Sequence, residues 1–121
     1  MVVQIIIECA ANSPQVIKEF SPEIVRENFI DPENLKVVRE GMRDAVTYGS
    51  SVILNTLPVK AAAKTGTAET GREDYFHNWV TVFAPYENPQ IVLTIMIENV
   101  PQIQAAALPM AKNVLEWYFT K

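Results

Sequence analysis

The sequence predicts an α+β fold whose elements follow the order β-hairpin, helix, three strands, helix. Three observations support this prediction. Segments rich in β-branched residues are separated by turn signals, one stretch repeats apolar residues at helical spacing, and two late apolar segments flank a short turn. This order is that of an α+β domain, or of part of one.

Residues 2–10 and 16–20 predict a β-hairpin at the start of the chain. The first segment is dominated by Val and Ile, which favour strands. The Asn-Ser-Pro sequence at residues 12–14 supplies turn chemistry between the two segments. A Ser-Pro pair at residues 21–22 then interrupts the chain, and no element is assigned to residues 23–30.

Asp31, Pro32 and Glu33 mark the start of a predicted helix. The Asp side chain can cap free backbone N–H groups, Pro suits the first helical position, and Glu favours the positive end of the helix dipole. The helix is expected to end at residues 48–49, where Gly49 is free to take the left-handed cap conformation. Apolar residues at spacings of three and four support the helix: Leu35, Val38, Met42 and Ala45.

The middle of the chain predicts a connection, a strand and a loop. Residues 50–58 are expected to connect the helix to the strand, with residues 52–54 as a short buried element. Residues 59–68 predict a strand of mostly small side chains, which often mark close approach by another element or a ligand. Residues 70–78 are polar, contain Gly71 and predict an exposed loop.

Two apolar strands and a helix are predicted to close the chain. Residues 79–83 and 90–98 flank a turn at residues 84–89, and the near-continuous apolar run of the second strand predicts burial on both faces. Pro109 is tolerable only in the first turn of a helix, so this helix is expected to start near Leu108. Its apolar positions at helical spacing are Ala107, Met110, Ala111, Val114, Leu115 and Tyr118.

The composition excludes several classes of function. The 121 residues carry a formal net charge of -4, with a pI of about 4.9. This argues against a non-specific nucleic-acid binder, which needs basic surface to displace counterions. The single cysteine and single histidine are too few for a common structural zinc site, and no cofactor is predicted. Cys9 is expected to be a small buried hydrophobe, and His77 a structural residue at a loop end.

No apolar run approaches the roughly 20 residues that a membrane helix needs, the longest being residues 91–97. Residues 2–7 lack a basic leader and are followed directly by Glu8, so they make a poor signal peptide. If the parent protein is anchored in a membrane, the anchor is expected to lie elsewhere.

Lys64, Thr65, Gly66 and Thr67 form the motif that points to chemistry, and they lie on the predicted strand at residues 59–68. A phosphate-binding loop needs glycine before the Lys-Thr pair and a helix after it. Here three alanines precede the lysine and glycine follows the threonine, so this class of site is excluded. The motif alone would also suit an ordinary edge strand with a solvated lysine.

The context of the motif resembles the C-terminal part of the transpeptidase domain of class B penicillin-binding proteins, in particular the elongation-type penicillin-binding protein 2 subgroup. Small residues precede the motif, and a polar loop, two strands with a short turn and a helix follow it. The Arg-Glu-Gly-Met sequence at residues 39–42 resembles the helix before the motif strand in that family. The resemblance covers residues 31–121 well and the first thirty more loosely. It implies part of the penicillin-binding protein and serine β-lactamase fold, with antiparallel strands covered by helices.

The resemblance implies a role for each motif residue. Lys64 would support proton shuttling beside the catalytic serines and attract an anionic substrate. Thr65 would offer its hydroxyl to the carboxylate of a stem peptide or a β-lactam. Gly66 would let the acyl donor lie along the strand edge, and the backbone N–H of Thr67 would form half of the oxyanion hole. Strict strand alternation places the Lys64 and Thr65 side chains on opposite faces.

The serines depart from the family pattern. The family reaction needs a Ser-x-x-Lys and a Ser-x-Asn sequence, and none of the four serines fits either one: Ser13, Ser21, Ser50 and Ser51. Residues 1–121 are therefore expected to be a C-terminal portion of a transpeptidase domain that lacks both segments. The chain alone is not expected to form an acyl-enzyme.

The resemblance implies that the parent protein is a serine-type D,D-transpeptidase that cross-links peptidoglycan stem peptides through an acyl-serine intermediate. It would be anchored in the bacterial inner membrane, with this domain on the periplasmic or extracytoplasmic side. The expected partners are the stem peptide, β-lactam antibiotics and the missing N-terminal half of the domain. Self-association through exposed apolar surface is also expected.

Two other functions remain open. A non-catalytic α+β module could bind peptide or protein along the motif strand edge. Such a module should have a closed polar surface, whereas a truncated domain should expose a large apolar patch. A fragment of a serine β-lactamase or β-lactam sensor would share the motif, but the long strand pair and the helix at residues 39–42 favour the transpeptidase. The acidic residues near the motif are expected to be solvated: Glu69, Glu73 and Asp74.

Overall fold

The computed structural model describes residues 5–10, 13–19, 27, 29–102 and 105–121. The chain divides into two compact units, residues 1–31 and 32–121. A β-hairpin is the described element of the first unit, and the motif strand belongs to the second.

In the first unit, β1 (Ile5–Ala10) pairs antiparallel with β2 (Ser13–Glu19), which confirms the predicted hairpin. The predicted turn at residues 12–14 is wrong in part, because its last two residues belong to β2 and Pro14 lies opposite Cys9. Proline is tolerated near the start of a strand, where its missing N–H need not join the ladder. Parts of the predictions lie outside the described residues, namely residues 2–4, residue 20 and the Cys9 side chain.

The second unit follows the predicted order of helix, three strands and helix. α1 spans Pro32–Thr47, and a 3₁₀ helix at Val52–Thr56 follows it. The remaining elements are β3 (Ala62–Glu69), β4 (Tyr75–Ala84), β5 (Ile91–Pro101) and α2 (Ala107–Phe119).

These three strands form an antiparallel sheet with β4 in the middle. β4 begins at Tyr75, so the prediction of a loop through residue 78 is wrong for its last four residues. His77 and Asn78 are polar and do not indicate a strand in the sequence, yet both have partners in the fold. His77 Nδ1 accepts a hydrogen bond from the Asn99 N–H at 3.4 Å, which is a structural role, and Asn78 is buried against the start of α2.

One face of β5 is exposed, which contradicts the prediction that both faces are buried. The exposed side chains alternate along the strand with half-buried ones that pack against the core. The alternation arises because α2 packs against β4 and β5 from one side. The exposed residues are Val92, Thr94, Met96 and Glu98, and the half-buried residues are Ile91, Leu93, Ile95 and Ile97.

The core of the second unit lies between the sheet, α2 and the 3₁₀ helix. Its buried members are Val46, Leu54, Leu57, Ala61, Ala63, Val80, Val82, Ala84, Ala107, Leu108, Ala111 and Leu115. Pro109 lies in the first turn of α2, as predicted. The predicted apolar stripe of α2 is correct for one side of the helix only, because three of its members are exposed: Met110, Val114 and Tyr118.

Two arginines attach α1 to the sheet region. Arg43 donates to the Ala61 carbonyl at 2.8 Å. Arg39 donates to the Tyr86 carbonyl at 2.7 Å and lies over the Phe83 and Tyr86 rings, 5.4 and 5.6 Å from their centroids. A planar guanidinium can stack on a ring and donate from its edge at the same time. Polar and cation–π contacts therefore help to attach α1 to the sheet region.

The apolar stripe of α1 is buried only towards its C-terminal end. Leu35 and Val38 are exposed, whereas Met42 and Ala45 are half-buried. Val46 is the fully buried residue of this helix and belongs to the core. The predicted apolar spacing is present, and the depth to which each of its residues is buried depends on what packs against the helix.

α1 ends where Gly49 passes close to the helix backbone. Gly49 does not have a positive φ, so the predicted left-handed cap is wrong. A Cβ atom at Gly49 would lie 2.8 Å from the Ala45 Cα and 3.1 Å from its carbonyl oxygen. The Ser51 N–H donates to that carbonyl at 2.9 Å and turns the chain back against the helix. Glycine is needed here for space, not for its φ.

Gly49→Ala is expected to lower the free energy of unfolding by about 1–3 kcal/mol, because the added methyl group overlaps the backbone of α1. Gly41→Ala is the matched control. A Cβ at Gly41 meets nothing within 4 Å, so alanine should raise the free energy of unfolding by up to about 1 kcal/mol through its higher helix propensity. Urea unfolding followed by circular dichroism measures both changes, and equal effects of the same sign would contradict this account.

Asn78 joins β4 to α2. Ala106, the residue before α2, offers no capping side chain. The buried Asn78 Oδ1 instead accepts a hydrogen bond from the Ala107 N–H at 2.9 Å. One of the free N–H groups at the start of α2 is thus satisfied by a side chain from the neighbouring strand. Because Asn78 lies opposite Thr67, the contact ties α2 to the part of β4 behind the motif.

Asn78→Ala is expected to cost about 1–3 kcal/mol of unfolding free energy, because a buried N–H loses its acceptor. Asn113→Ala makes the same chemical change at an exposed position of α2, where the effect should stay within about 0.5 kcal/mol. Both values come from denaturant unfolding of the purified variants. A loss at Asn78 no larger than the loss at Asn113 would show that the cap has no energetic role.

Candidate active-site strand

The motif residues lie in β3, at one side of the sheet. β3 pairs with β4, and among the described residues no strand pairs with its other edge. In an outer strand, every second residue turns its backbone N–H and C=O away from the neighbouring strand. The outer edge of β3 therefore presents a row of backbone donors and acceptors.

Two hydrogen bonds just before β3 show which residues face this edge. The Lys60 carbonyl accepts from the Tyr86 N–H at 2.8 Å, so it turns toward the β4 side. The Ala61 carbonyl accepts from Arg43 at 2.8 Å, so it turns toward the outer edge. Because backbone groups alternate along a strand, odd-numbered residues should face outward through the motif as well.

The motif itself follows this alternation. The Lys64 ammonium donates to the Thr65 carbonyl at 2.5 Å, so Thr65 turns its backbone outward. Thr67 lies two residues further along the same strand and is exposed. Its N–H thus faces the outer edge, where it meets no strand partner among the described residues.

The side chains of Lys64 and Thr65 lie on opposite faces of the sheet, as predicted. Lys64 lies opposite Thr81, on the face where the Thr81 and Thr94 hydroxyls pair at 3.1 Å. Thr65 lies opposite the buried Val80, on the core face. The long lysine stem brings the ammonium back to the Thr65 carbonyl at the outer edge, although the two side chains leave the strand on opposite faces.

Thr65 is half-buried, and its Oγ1 lies 3.2 Å from the Ser50 Oγ. Ser50 stands in the turn after α1, fifteen positions before Thr65. The sequence patterns exclude Ser50 as a nucleophile but indicate no other role for it. No periodicity connects the two positions, and the one available signal is that Ser50 begins the segment that leads from α1 to the motif strand.

Gly66 lies opposite Trp79 in the sheet. A Cβ atom at Gly66 would lie 3.4 Å from the Trp79 Cβ, which is an ordinary contact. Packing within the described residues therefore leaves room for alanine at this position. Trp79 is a strand residue, as predicted, and its side chain is 40% exposed.

Two titratable groups in the turns after β4 and α1, Glu87 and Tyr48, have shifted pKa values. A hydrogen bond from Lys60, whose ammonium lies 2.6 Å from the carboxylate, lowers the pKa of Glu87. This exposed pair joins the approach to β3 with the turn after β4. A hydrogen bond to the Asp44 carboxylate raises the pKa of Tyr48, two residues before Ser50.

The acidic residues after the motif are exposed, as predicted. Glu69 is the last residue of β3, and Glu73 and Asp74 lie in the loop between β3 and β4. Residues 69–76 line a shallow depression there. Within the described parts of the chain, no three His, Cys, Asp or Glu side chains are grouped so that they could hold a metal ion. None of the described helices is long and apolar enough to cross a membrane.

The chain is similar to proteins of one known family. The family model for the penicillin-binding protein transpeptidase domain matches residues 2–116. The peptidoglycan D,D-transpeptidase MrdA of Haemophilus influenzae is 33% identical over 73 residues, covering 60% of this chain and 11% of that protein. MrdA of Salmonella typhimurium is 27% identical over 93 residues, covering 65% of this chain and 15% of that protein. The chain thus spans only 11–15% of the length of these relatives.

The chain is also similar to solved structures of penicillin-binding proteins. Penicillin-binding protein 2 of Pseudomonas aeruginosa is 28% identical, with a TM-score of 0.64 over 91% of this chain and 24% of that chain. Penicillin-binding protein 2B of Streptococcus pneumoniae has a TM-score of 0.69 over 87% of this chain and 18% of that chain, and at 20% identity it supports the fold alone.

The family model covers most of the chain, and the named relatives are of the penicillin-binding protein 2 type. The α+β fold and the resemblance inferred from the Lys-Thr-Gly strand and its context are confirmed. The chain belongs to the penicillin-binding protein transpeptidase domain family.

Proposed function

We propose that this chain supplies the substrate-binding strand of a serine-type D,D-transpeptidase that cross-links peptidoglycan stem peptides. The outer edge of β3 is the observation that supports this proposal. This strand carries the Lys64 ammonium, the Thr65 hydroxyl and the Thr67 N–H within four consecutive residues. Relatives in the same family bear the name peptidoglycan D,D-transpeptidase.

Lys64 places a positive charge at the strand edge. Its ammonium is exposed and bound to the Thr65 carbonyl. A cation in this position attracts an anionic substrate, and the attraction strengthens as the substrate displaces water. It also favours proton movement between serine hydroxyls that lie beside it, which is the task of a general acid–base group.

Thr65 and Gly66 bind the acyl donor. The Thr65 hydroxyl donates a hydrogen bond to the carboxylate of the stem peptide or of a β-lactam. Gly66 presents no side chain, so an extended acyl donor can lie along the strand edge. The space available at Gly66 supports this role, because packing against Trp79 alone does not exclude a larger residue.

The backbone N–H of Thr67 forms half of the oxyanion hole. It faces the outer edge of β3, and a donor held by strand geometry needs no reorganisation when negative charge develops on the tetrahedral intermediate. Thr67 also lies opposite Asn78, whose side chain is fixed by α2, so the donor stands on a rigid part of the sheet.

The nucleophile of the proposed enzyme lies outside residues 1–121, since none of the four serines stands in a Ser-x-x-Lys or Ser-x-Asn sequence. We assign these residues to the C-terminal portion of a transpeptidase domain. The rest of that domain contributes the acylated serine and its base. The parent protein is anchored in the bacterial inner membrane, with this domain on the periplasmic or extracytoplasmic side, and binds stem peptides and β-lactams.

Exposed apolar side chains favour this function over a stand-alone binding module. A domain cut from a larger fold should leave apolar surface uncovered where its missing part packs. Large hydrophobic side chains are exposed on β5, on its neighbour β4 and on both helices. Prominent examples are Trp79, Val92, Met96, Met110, Val114, Trp117 and Tyr118.

Intact mass after incubation with a penicillin tests the proposal that the binding strand lies in this chain and the acylated serine lies in the rest of the domain. We expect no covalent adduct on residues 1–121 alone, because the acylated serine is absent. The same strand within the complete transpeptidase domain should give one adduct, on a serine that precedes this chain. A stoichiometric adduct on residues 1–121 alone, not formed with an unreactive analogue, would overturn the proposal.

Thr67→Pro in the complete domain tests the oxyanion donor. Proline removes the N–H but is tolerated where that N–H faces away from the sheet, so the fold should survive. Penicillin acylation should slow by about 10²–10³-fold, the usual cost of one lost oxyanion-hole donor. Thr67→Val is the matched control, because it changes the side chain and keeps the N–H. A folded proline variant that acylates at the unsubstituted rate would remove Thr67 from the oxyanion hole.

A further inference from the structure

We infer that Ser50 is a positioning residue for Thr65, and that its hydroxyl donates to the Thr65 Oγ1 so that the Thr65 proton points at the substrate carboxylate. The inference deepens the proposed function and rests on it. The 3.2 Å contact between the two hydroxyls supports it. Ser50 lies outside the Lys-Thr-Gly strand, in the turn that follows α1.

The direction of this hydrogen bond follows from the charge of the substrate. A hydroxyl has one proton to donate and can accept two hydrogen bonds. A carboxylate has no proton, so Thr65 must donate to it and cannot at the same time donate to Ser50. Ser50 therefore becomes the donor within the pair. Without a substrate either oxygen can donate, so an anion selects one of two arrangements that are already available.

Three contacts hold the chain around Ser50 in place. Gly49 packs against the Ala45 backbone with no room for a Cβ, and the Ser51 N–H is bound to the Ala45 carbonyl at 2.9 Å. Arg43 ties the same helix end to the Ala61 carbonyl, at the edge of the motif strand. Ser50 is thus fixed relative to β3 before any ligand arrives, so little conformational entropy is lost on binding.

The Ser50 contact also strengthens the donor that it orients. A hydroxyl that accepts a hydrogen bond becomes a better donor to its own partner, by an amount put at about 10–30% per bond. The expected consequence is selectivity for ligands that have a carboxylate where Thr65 donates.

The neighbouring serine supplies the control. Ser51 is fully buried, and its Oγ has no hydrogen-bond partner among the described residues. Ser51→Ala therefore makes the same chemical change one residue away without touching the Ser50–Thr65 contact. Ser50→Thr keeps the hydroxyl and should retain the function.

The test uses the complete protein that contains this chain and two ligands, a penicillin and its carboxyl methyl ester. The readout is the ratio of their second-order acylation rates. Ser50→Ala should lower this ratio about three- to tenfold, the effect of losing one hydrogen bond. Ser50→Thr and Ser51→Ala should leave the ratio unchanged. An equal loss for acid and ester, or no loss for either, would overturn the inference.

A double-mutant cycle separates the inference from the function on which it rests. Thr65→Val should lower the acid-to-ester ratio by itself, and Ser50→Ala added to it should cause no further loss, because Ser50 acts through Thr65. A further loss in the Thr65→Val background would overturn the inference and leave the proposed function standing. If the unsubstituted protein is not acylated, or if Thr65→Val leaves the ratio unchanged, the proposed function itself fails at this point and the inference fails with it.

Discussion

The candidate site depends on the register between β3 and β4. Lys64 lies opposite Thr81, and Thr67 opposite Asn78. A slip of one residue would move the Lys64 side chain to the core face and turn the Thr67 N–H toward β4. β4 is itself tied to α2, because the buried Asn78 side chain binds the start of that helix. The donor geometry at the outer edge therefore depends on the pairing of β3 with a strand that α2 holds in place.

The approach of α1 to the motif strand depends on small residues and on arginines. Three buried alanines precede Lys64 and leave room for a close neighbour. Arg43 then binds the Ala61 carbonyl at the same edge that the motif presents further along. This attachment brings the end of α1, and with it Ser50, beside Thr65. Replacing these contacts with ordinary apolar packing would require larger side chains, and those would push the helix away from the strand.

The three donors at the edge arise from different physical features. The Lys64 ammonium reaches the edge because its side chain is long. The Thr65 hydroxyl is held by its contact with Ser50. The Thr67 N–H is free of a strand partner because, among the described residues, no strand pairs with that side of β3. None of these features requires the nucleophile. In the proposed function, substrate recognition is therefore separable from acylation.

The sequence by itself determined the element order, the start of α1, the motif strand and the family, because these depend on local periodicity, capping residues and a short motif in context. It could not determine that β4 begins at Tyr75 or that β5 is exposed on one face, since both depend on what packs against a strand. Gly49 was predicted to have a left-handed conformation. Glycine is needed there for another reason, because the Ala45 backbone leaves no room for a Cβ atom. The pairing of Ser50 with Thr65 was decided by tertiary structure alone, because a contact across fifteen residues and two elements leaves no local pattern.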